Sequence, residues 1–474
     1  MKRPVLELSR KLQHCHNGLK RPRYDVHTSR IVCRSTSAAP QSTRAEPPRR
    51  EQLEQLLRDE PPQVVLRKLF ERLGATYVKL GQFIASSPSL FPAEYVLEFQ
   101  KCLDKTDPVD WAIIKNTIES ELGRSVNQVF SYIDPVPLAS ASIAQVHCAV
   151  LRDSQKEVVI KVLKPGVEDV LISDLNFLQI SSQILEFLNP QLARTSLAGI
   201  VTDIRASMLD ETDFRKEAAH IAEFSDYLDL TGMRSTATCP FVYKPFSTKR
   251  MMTMDKLDGV PLTDLDAIRS MTTANPEQVL IGALNTWSGS LVACPHFHAD
   301  VHAGNLLVMR DGRIGFIDFG IVGSIAPSTW TALQALIDST STSDFSTMAR
   351  AMATLGVTKQ AVDIQGLASD LEILFKEIEG IDAEVLMGSP APGTRVNSVS
   401  VSADDSQVNR LLLKVVELGE NYGIRFPREF GLLLKQFLYF DRYTRILAPT
   451  MSVLQDERVN LGRNRASAAA ATSV

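Results

Sequence analysis

The chain has 474 residues, 44% of them hydrophobic and 22% charged, and its formal net charge is -4. This length and apolar content are enough to bury a large core, and they favour two or three packed units. The nearly balanced charge excludes a chain-wide basic field of the kind that recruits nucleic acid or anionic lipid. The six cysteines form no C-x-x-C pair and no framework typical of a small secreted domain, which indicates a reducing compartment.

Residues 1–50 differ in composition from the rest of the chain. They contain about twelve Lys and Arg residues, only three acidic residues and many Ser and Thr residues, and they lack the apolar core of a secretory signal. This composition predicts a removable organelle address, and the run from Arg30 to Ala39 resembles the end of a chloroplast transit peptide. A mitochondrial address and an uncleaved disordered tail are the alternatives.

Residues 51–130 are predicted to form an N-terminal helical extension. Apolar residues recur at intervals of three and four from Val65 to Ile84, which predicts a single amphipathic helix closed by Pro88 and Pro92. A second helix is expected from Val109 to Leu122, with Gly123 as its stop.

The pattern then becomes typical of a small sheet within residues 131–260. The predicted elements are a hairpin, two long helices and two shorter strands: Val146–Leu151 with Glu157–Leu163, then Val170–Leu188 and Leu197–Leu228, then Phe241–Tyr243 and Met251–Met254.

Residues 261–455 are predicted to be mainly helical. The uncharged stretch from Gln278 to Phe297 contains several polar residues, so a buried core helix is favoured over a transmembrane helix. No other segment suggests a membrane span, and any membrane contact should therefore be peripheral. Residues 388–407 are predicted to be a flexible insertion, and residues 456–474 a disordered tail.

The strongest chemical signal is the loop from His298 to Asn305, followed by Asp318-Phe319-Gly320. Its spacing matches the H-R-D-x-x-x-x-N and D-F-G motifs of phosphoryl transfer. In this interpretation Asp318 and Asn305 hold Mg²⁺ through oxygen ligands, and Asp300 orients or deprotonates the acceptor.

Upstream, the strand Val158-Val159-Ile160-Lys161-Val162 is similar to the V-A-I-K strand, whose lysine contacts nucleotide phosphates. The turn before it contains no glycine, so nucleotide should sit differently than in a conventional kinase. The residues of this alanine-rich turn are expected to contact the nucleotide: Ala139, Ser140, Ala141, Ser142, Ile143 and Ala144. Met254, Asp255 and Leu257 are expected beside the adenine.

The alanine-rich turn, a K-x-G-Q motif and an E-x-D motif together resemble the UbiB family of atypical kinases, also called AarF-domain-containing kinases. The resemblance covers residues 60–450 and indicates a plant or algal organellar member. It implies an α+β, bilobal protein-kinase-like fold with a small antiparallel-sheet N-lobe, a helical C-lobe and an N-terminal helical extension. It also implies that Glu217 pairs with Lys161. It further implies a regulatory set of four residues: Lys79, Gln82, Glu211 and Asp213. In this set Lys79 and Gln82 reach toward the two acidic residues and block protein substrates.

Three further features of the sequence bear on the expected function. Val301 and Ala303 stand where the family's catalytic loop commonly has prolines, which removes stiffness but no ligand. No A-P-E motif follows Gly320, which argues against a platform for peptide substrates. The spacing of His296, His298 and His302 matches no structural zinc site.

The sequence therefore predicts an enzyme that binds Mg²⁺ and ATP or ADP, more an ATPase than a protein kinase. The resemblance implies a role in prenylquinone metabolism, with plastoquinone, tocopherol or ubiquinone as the quinone, and peripheral contact with a quinone-containing membrane or lipid body. It also implies a chloroplast location at thylakoids or plastoglobules. The alternative functions are a small-molecule phosphotransferase and a nucleotide-binding pseudokinase scaffold.

Overall fold

The structure is a computed structural model that describes residues 60–85, 91–99, 101–102, 107–188, 197–358, 361–387, 414–415, 417–451, 453 and 456–460. The predicted organelle address, the predicted insertion at 388–407 and Pro88 lie outside the described residues. Within the predicted tail, residues 456–460 contact a core helix: Arg458 donates to Glu277 Oε1 at 2.6 Å, and Asn460 N donates to Asn285 Oδ1 at 2.7 Å.

The N-terminal part of the described chain is helical, with α1 at Pro62–Leu73, α2 at Ala75–Ala85, α3 at Ala93–Phe99 and α4 at Trp111–Leu122. The prediction of one helix from Val65 to Ile84 is wrong, because Gly74 adopts a φ of 108° and separates α1 from α2. The end of α4 is as predicted, since Gly123 takes the left-handed conformation with a φ of 64°.

An antiparallel sheet follows, with β1 at Phe130–Ile133, β2 at Ala139–Ser140, β3 at Ala144–Leu151, β4 at Glu157–Leu163 and β6 at Met251–Asp255. The strand order is β1-β3-β4-β6, and β2 pairs with β3. The predicted hairpin is confirmed, and its register places Val146 opposite Lys161. Alternate residues of β4 face opposite sides of the sheet, so Val158 and Ile160 pack toward α4 while Lys161 faces the other side.

Three helices cover the region after β4: α5 at Val167–Leu188, α6 at Leu197–Asp210 and α7 at Phe214–Leu230. The predicted single helix from Leu197 to Leu228 is wrong. It is interrupted at residues 211–213, where the carboxylate of Asp213 accepts a hydrogen bond from Arg215 N at 3.1 Å and caps α7.

A second sheet has the strand order β5-β10-β9-β7, with β5 at Ala237–Thr238, β7 at Gly259–Pro261, β9 at Leu306–Met309 and β10 at Ile314–Phe316. The predicted boundary between residues 260 and 261 therefore falls inside β7. The strand predicted at Phe241–Tyr243 is wrong, since only a single bridge joins Val242 to Met254. A short pair, β8 at Phe297–His298 and β11 at Val322–Gly323, brackets the catalytic loop and the D-F-G segment.

The C-terminal part is mainly helical, as predicted. Its helices and its last two strands are α8 at Leu265–Met271, α9 at Pro276–Ala293, α10 at Pro327–Thr342, α11 at Phe345–Leu355, β12 at Val357–Thr358, α12 at Ile364–Met387, β13 at Ile424–Arg425 and α13 at Arg428–Leu447. Helix α9 lies in the core and buries Trp287, which confirms the prediction of a buried helix. Among the described residues, no helix combines the length and the apolar character that crossing a membrane requires.

Candidate active site

Three charged side chains that are distant in sequence meet between the two lobes. Lys161 Nζ lies 2.9 Å from both carboxylate oxygens of Glu217 and 3.1 Å from Asp318 Oδ1. Lys161 comes from the central strand β4, Glu217 from the first turn of α7, and Asp318 from the segment after β10. The arrangement links the sheet, a helix and the D-F-G segment through one lysine.

The charges of this cluster shift one another's pKa values. Burial would lower the pKa of Lys161, but the carboxylates of Asp318 and Glu217 outweigh it and raise the pKa above its ordinary range. The positive charge of Lys161 lowers the pKa of Asp318. Burial raises the pKa of Glu217 despite the charge of Lys161, and the negative charge of Asp318 raises it further. At neutral pH Lys161 and Asp318 therefore carry full charges.

The backbone and side-chain packing of the D-F-G segment orient Asp318. Asp318 has a φ of 60°, a left-handed conformation that is uncommon for a residue with a Cβ and costs about 1 kcal/mol or more. Phe319 packs between Phe224 of α7, at a ring distance of 5.0 Å, and His298, at 4.6 Å. The carboxylate of Asp318 remains about half exposed (51%), so a ligand in the cleft can reach it.

The catalytic loop is built around a buried histidine. His298 Nδ1 accepts a hydrogen bond from Asp300 N at 3.1 Å, and its Nε2 donates to Ile317 O at 2.9 Å. Burial lowers the pKa of His298, which favours this neutral form. Asn305 Nδ2 donates to Asp300 O at 2.9 Å, so the loop closes on itself. Because both ring nitrogens of His298 take part in these hydrogen bonds, they stabilise the loop rather than ligate a metal.

The alanine-rich turn lies at the edge of the first sheet. β2 pairs with β3 through Ser140 and Gln145, and Ala141 N donates to Ala144 O at 2.9 Å. The hydroxyl of Ser140 is buried and has no hydrogen-bond partner. An unpaired buried hydroxyl is costly, so a ligand atom that accepts from it would be favoured there.

Met254, Asp255 and Leu257 lie at the link between the two lobes. Met254 is buried in the core, while the carboxylate of Asp255 contacts Lys156 Nζ at 2.9 Å and accepts a hydrogen bond from the Tyr243 hydroxyl at 2.8 Å. Asp255 N donates to Phe241 O at 3.0 Å. Asp255 therefore offers neither its side chain nor its N–H to the cleft.

Comparison with known proteins identifies the family. The profile described as "ABC1 atypical kinase-like domain" matches residues 101–352. Over 404 residues the chain is 55% identical to an uncharacterized aarF domain-containing protein kinase of Arabidopsis thaliana that is named as chloroplastic, and the match covers 84% of this chain and 74% of that protein. The chain belongs to the ABC1 atypical kinase-like family.

Two more distant matches are to a bacterial protein and to a solved structure. A Shewanella protein named "Probable protein kinase UbiB" is 26% identical over 396 residues, which cover 82% of this chain and 67% of that protein. A Mycobacterium tuberculosis protein in complex with erythromycin superposes with a TM-score of 0.46 at 21% identity, and the match covers 72% of this chain and 83% of the other.

In this ABC1 chain the K-x-G-Q helix α2 packs against α3. Gly81 of the motif is required by packing, because a Cβ there would lie 2.8 Å from Phe99 Cδ1. Lys79 forms an ion pair with Glu211, and its charge contributes to the lowered pKa of Asp318. Asp213 instead caps α7 and binds the Arg215 side chain at 2.6 Å.

Sequence reasoning missed a group of site residues on the last helix of the ABC1 chain. On α13, Lys435 Nζ lies 3.3 Å from Asp300 Oδ1, and Gln436 bonds the backbone on both sides of Asp300. Burial would raise the pKa of Asp300, but the charge of Lys435 outweighs it and the pKa is lowered. The available signal was a Lys-Gln pair inside the apolar helical run from Leu432 to Leu438.

Proposed function

We propose that this ABC1 kinase-like protein binds Mg²⁺ with ATP or ADP between its lobes and acts as an atypical ATPase or phosphotransferase that supports prenylquinone metabolism. The observation that carries the proposal is the contact of Lys161 with both Glu217 and Asp318, close to the catalytic loop that holds Asp300 and Asn305. A phosphate-binding lysine held by a helical glutamate is the arrangement that phosphoryl transfer uses.

The residues present fit a magnesium ion. Mg²⁺ prefers hard oxygen ligands, and Asp318 provides an ionised, half-exposed carboxylate. The amide nitrogen of Asn305 donates to Asp300 O, which leaves its amide oxygen as the ligating atom. Asp318 and Asn305 would hold the ion, which when bound neutralises phosphate charge.

The remaining side chains have distinct roles in the proposed reaction. Lys161 binds the donor phosphates, and Glu217 holds Lys161 in place. The acceptor oxygen, from water or from a hydroxyl, forms a bond to the γ-phosphorus while the bond to the bridging oxygen of the leaving ADP breaks. Asp300 orients the acceptor and takes its proton.

The test is nucleotide binding and turnover by the purified protein. Calorimetric titration with ATP and with ADP, with and without Mg²⁺, should show magnesium-dependent affinity that Asp318→Ala abolishes. Asp300→Asn should keep the affinity and lose phosphate release, measured with and without prenylquinone-containing vesicles. Unchanged affinity in Asp318→Ala would refute the proposal. Transfer of label to a soluble amino alcohol would favour a small-molecule kinase, and binding without turnover a pseudokinase scaffold.

We also propose that the K-x-G-Q helix restricts the acceptor, with Lys79, Gln82, Glu211 and Asp213 as the regulatory set. The Lys79–Glu211 ion pair and the proximity of Lys79 to Asp318 support this. Lys79→Ala should then increase autophosphorylation while Lys376→Ala, on the surface of α12, leaves it unchanged. Equal autophosphorylation in both variants would refute the restriction.

Peripheral contact with uncharged quinone-containing membranes or lipid bodies is proposed through α5. One face of this helix packs on α2 and α6, and the opposite face exposes a stripe of large apolar residues: Val170, Phe177, Ile180, Ile184 and Leu188. The helix has four carboxylates and no lysine or arginine, so its charge disfavours an anionic surface.

Flotation with uncharged vesicles tests this contact. Ile180→Asp should prevent flotation, whereas Ile113→Asp, at an exposed apolar position on α4, should not. If wild type floats only with anionic vesicles, or if both variants float as well as wild type, the assignment of the lipid contact to α5 fails.

We propose a chloroplast location, at thylakoids or plastoglobules. Support comes from the composition of residues 1–50 and from the name of the Arabidopsis relative, which gives that protein as chloroplastic. A fluorescent fusion of residues 1–60 should enter chloroplasts. Entry into mitochondria would favour the alternative.

A further inference from the structure

Helix α13 fixes the backbone of the catalytic loop on both sides of Asp300. Gln436 is completely buried, its Nε2 donates to Ala299 O at 2.7 Å, and its Oε1 accepts from Val301 N at 2.8 Å. The Tyr443 hydroxyl donates to Val301 O at 2.8 Å. The loop and α13 are therefore held in one register, and a side chain from α13 keeps a defined position relative to Asp300.

These bonds also explain how the loop tolerates valine at position 301. A proline there would stiffen the chain but could donate no hydrogen bond. Val301 has an N–H, and Gln436 accepts from it. The constraint that proline would supply within the loop is supplied here by a side chain from a distant helix.

Lys435 is the residue that α13 places beside the proposed catalytic carboxylate. Its Nζ lies 3.3 Å from Asp300 Oδ1 and 5.6 Å from the ring centre of Tyr439. Burial would lower the pKa of Lys435, but the charge of Asp300 and contact with Tyr439 outweigh it, and the pKa is raised. The side chain is 26% exposed, and its raised pKa keeps the ammonium group charged at neutral pH.

The catalytic loop itself offers no strong cation at this place. Residues 298–305 contain no lysine or arginine. A histidine of the loop, His302, lies near the carboxylate, with its Nε2 3.8 Å from Asp300 Oδ2. Lys161 serves the donor side, where it contacts Glu217 and Asp318. During transfer, negative charge is spread over the oxygens of the moving phosphoryl group, so a cation on the acceptor side lowers the barrier.

We propose that Lys435 is a catalytic residue of this ABC1 chain, supplied by α13, which contacts the transferred phosphoryl group on the acceptor side while it holds the Asp300 carboxylate. The inference rests on the proposed function and adds a residue from outside the matched domain region, 101–352. The acceptor proton passes to Asp300, ADP leaves with the electrons of the broken bond, and Lys435 keeps its proton throughout.

Three variants test the role of Lys435. Lys435→Met keeps an aliphatic chain over Tyr439 and removes the charge, Lys435→Arg keeps the charge, and Lys435→Ala leaves space for an added amine. Lys376→Ala is the matched control, because Lys376 pairs with Glu372 on the exposed surface of α12. Affinity for Mg-ATP is measured by calorimetry, kcat by phosphate release, and folding by thermal unfolding.

Lys435→Met and Lys435→Ala should lower kcat about 100-fold while the affinity for Mg-ATP stays close to that of wild type. Lys435→Arg should retain more activity, and methylammonium should raise the kcat of Lys435→Ala but not of Lys435→Met. Lys376→Ala should match wild type.

The inference is overturned if Lys435→Met keeps wild-type kcat. It is also overturned if the loss in Lys435→Ala is unaffected by methylammonium and is accompanied by a lower unfolding temperature, since that is the result for a purely structural ion pair. If wild type and the Lys435 variants bind nucleotide normally and the variants keep wild-type turnover, only this inference is refuted. Absence of nucleotide binding by wild type removes the proposed function as well.

Discussion

The crossing of α7 and α9 provides a sharp test of the packing that positions Glu217. Gly289 of α9 faces Tyr227 of α7, and a Cβ at Gly289 would lie under 3.0 Å from the hydroxyl oxygen and 3.5 Å from Cζ. That hydroxyl donates to Thr286 O at 2.8 Å, and the ring is buried. The rigid ring cannot move aside without breaking this bond. We therefore expect Gly289→Ala to destabilise the protein because of Tyr227.

The magnitude follows from three terms. Replacing a glycine by alanine inside a helix gains about 1 kcal/mol, whereas overpacking a core costs about 1 to 3 kcal/mol. Tyr227→Phe loses a buried hydrogen bond, which costs about 1 kcal/mol. In the Tyr227→Phe background the added methyl group fits, so Gly289→Ala should be stabilising there although it is destabilising in wild type. The coupling energy between the two substitutions should be about 2 kcal/mol.

The assay is urea unfolding of wild type, both single variants and the double variant. Gly282→Ala is the control, because a Cβ at this position of the same helix would meet only Thr236 Cβ, at an ordinary 3.7 Å. It should stabilise the protein by up to about 1 kcal/mol. If Gly289→Ala costs the same with and without the Tyr227 hydroxyl, the structural reasoning is refuted.

Three further predictions follow from single positions. Burial raises the pKa of Glu217 from 4.5 to about 7, so the folded protein holds a proton that the unfolded chain has released in this interval. The stability from this group is present below about pH 4.5 and is lost as the pH rises to about 7. Glu217→Gln should remove that slope in urea unfolding without nucleotide, and Lys161→Met should alter it; an unchanged slope in Glu217→Gln would contradict the pKa shift. Gly81→Ala should lower the unfolding free energy by about 1 to 3 kcal/mol because its Cβ meets Phe99, and a neutral effect would show that α2 and α3 are not in close contact. Gly123→Ala should cost about 1 kcal/mol, because the position has a φ of 64° with open space around it, and Gly123→Asn should cost less. Equal costs for both would count against the left-handed cap.

Local patterns predicted the strands better than the helix ends. The hairpin of β3 and β4 follows from two β-rich runs. The bounds of β4 are as predicted, and β3 begins two residues earlier than predicted, at Ala144. Both errors in the helices arose where apolar periodicity continues across a break. Gly74 and Asp213 carried ordinary signals for a helix stop and a helix cap, but the periodicity on both sides concealed them.

The expected strand at Phe241–Tyr243 failed for a different reason. Its composition is typical of a strand, but strand formation needs a partner along its length, and only Val242 pairs with Met254. The backbone then turns into a short 3-10 helix at Lys244–Phe246. Whether a neighbouring strand is available for pairing depends on the whole fold, and the local sequence cannot predict it.

Motif spacing selected Lys161 and Asp318, and the family resemblance added Glu217. The structure brings these three side chains into contact. Their chemical roles remain predictions. The spacing could not show that the Asp255 side chain turns to Lys156, or that Asp213 binds Arg215, because both contacts depend on the direction of a side chain rather than on its position in the chain.

Lys435 shows how far a sequence can lead toward a long-range contact. A lysine and a glutamine inside an apolar helical run require partners, since burying an unpaired charge or amide is costly. The pattern therefore predicts that an acid and backbone groups face this part of α13. It cannot select Asp300, which is 135 residues away, from the other acids of the chain. Only the packing of α13 against the catalytic loop makes that choice, and the same packing places a cation where the proposed reaction develops negative charge.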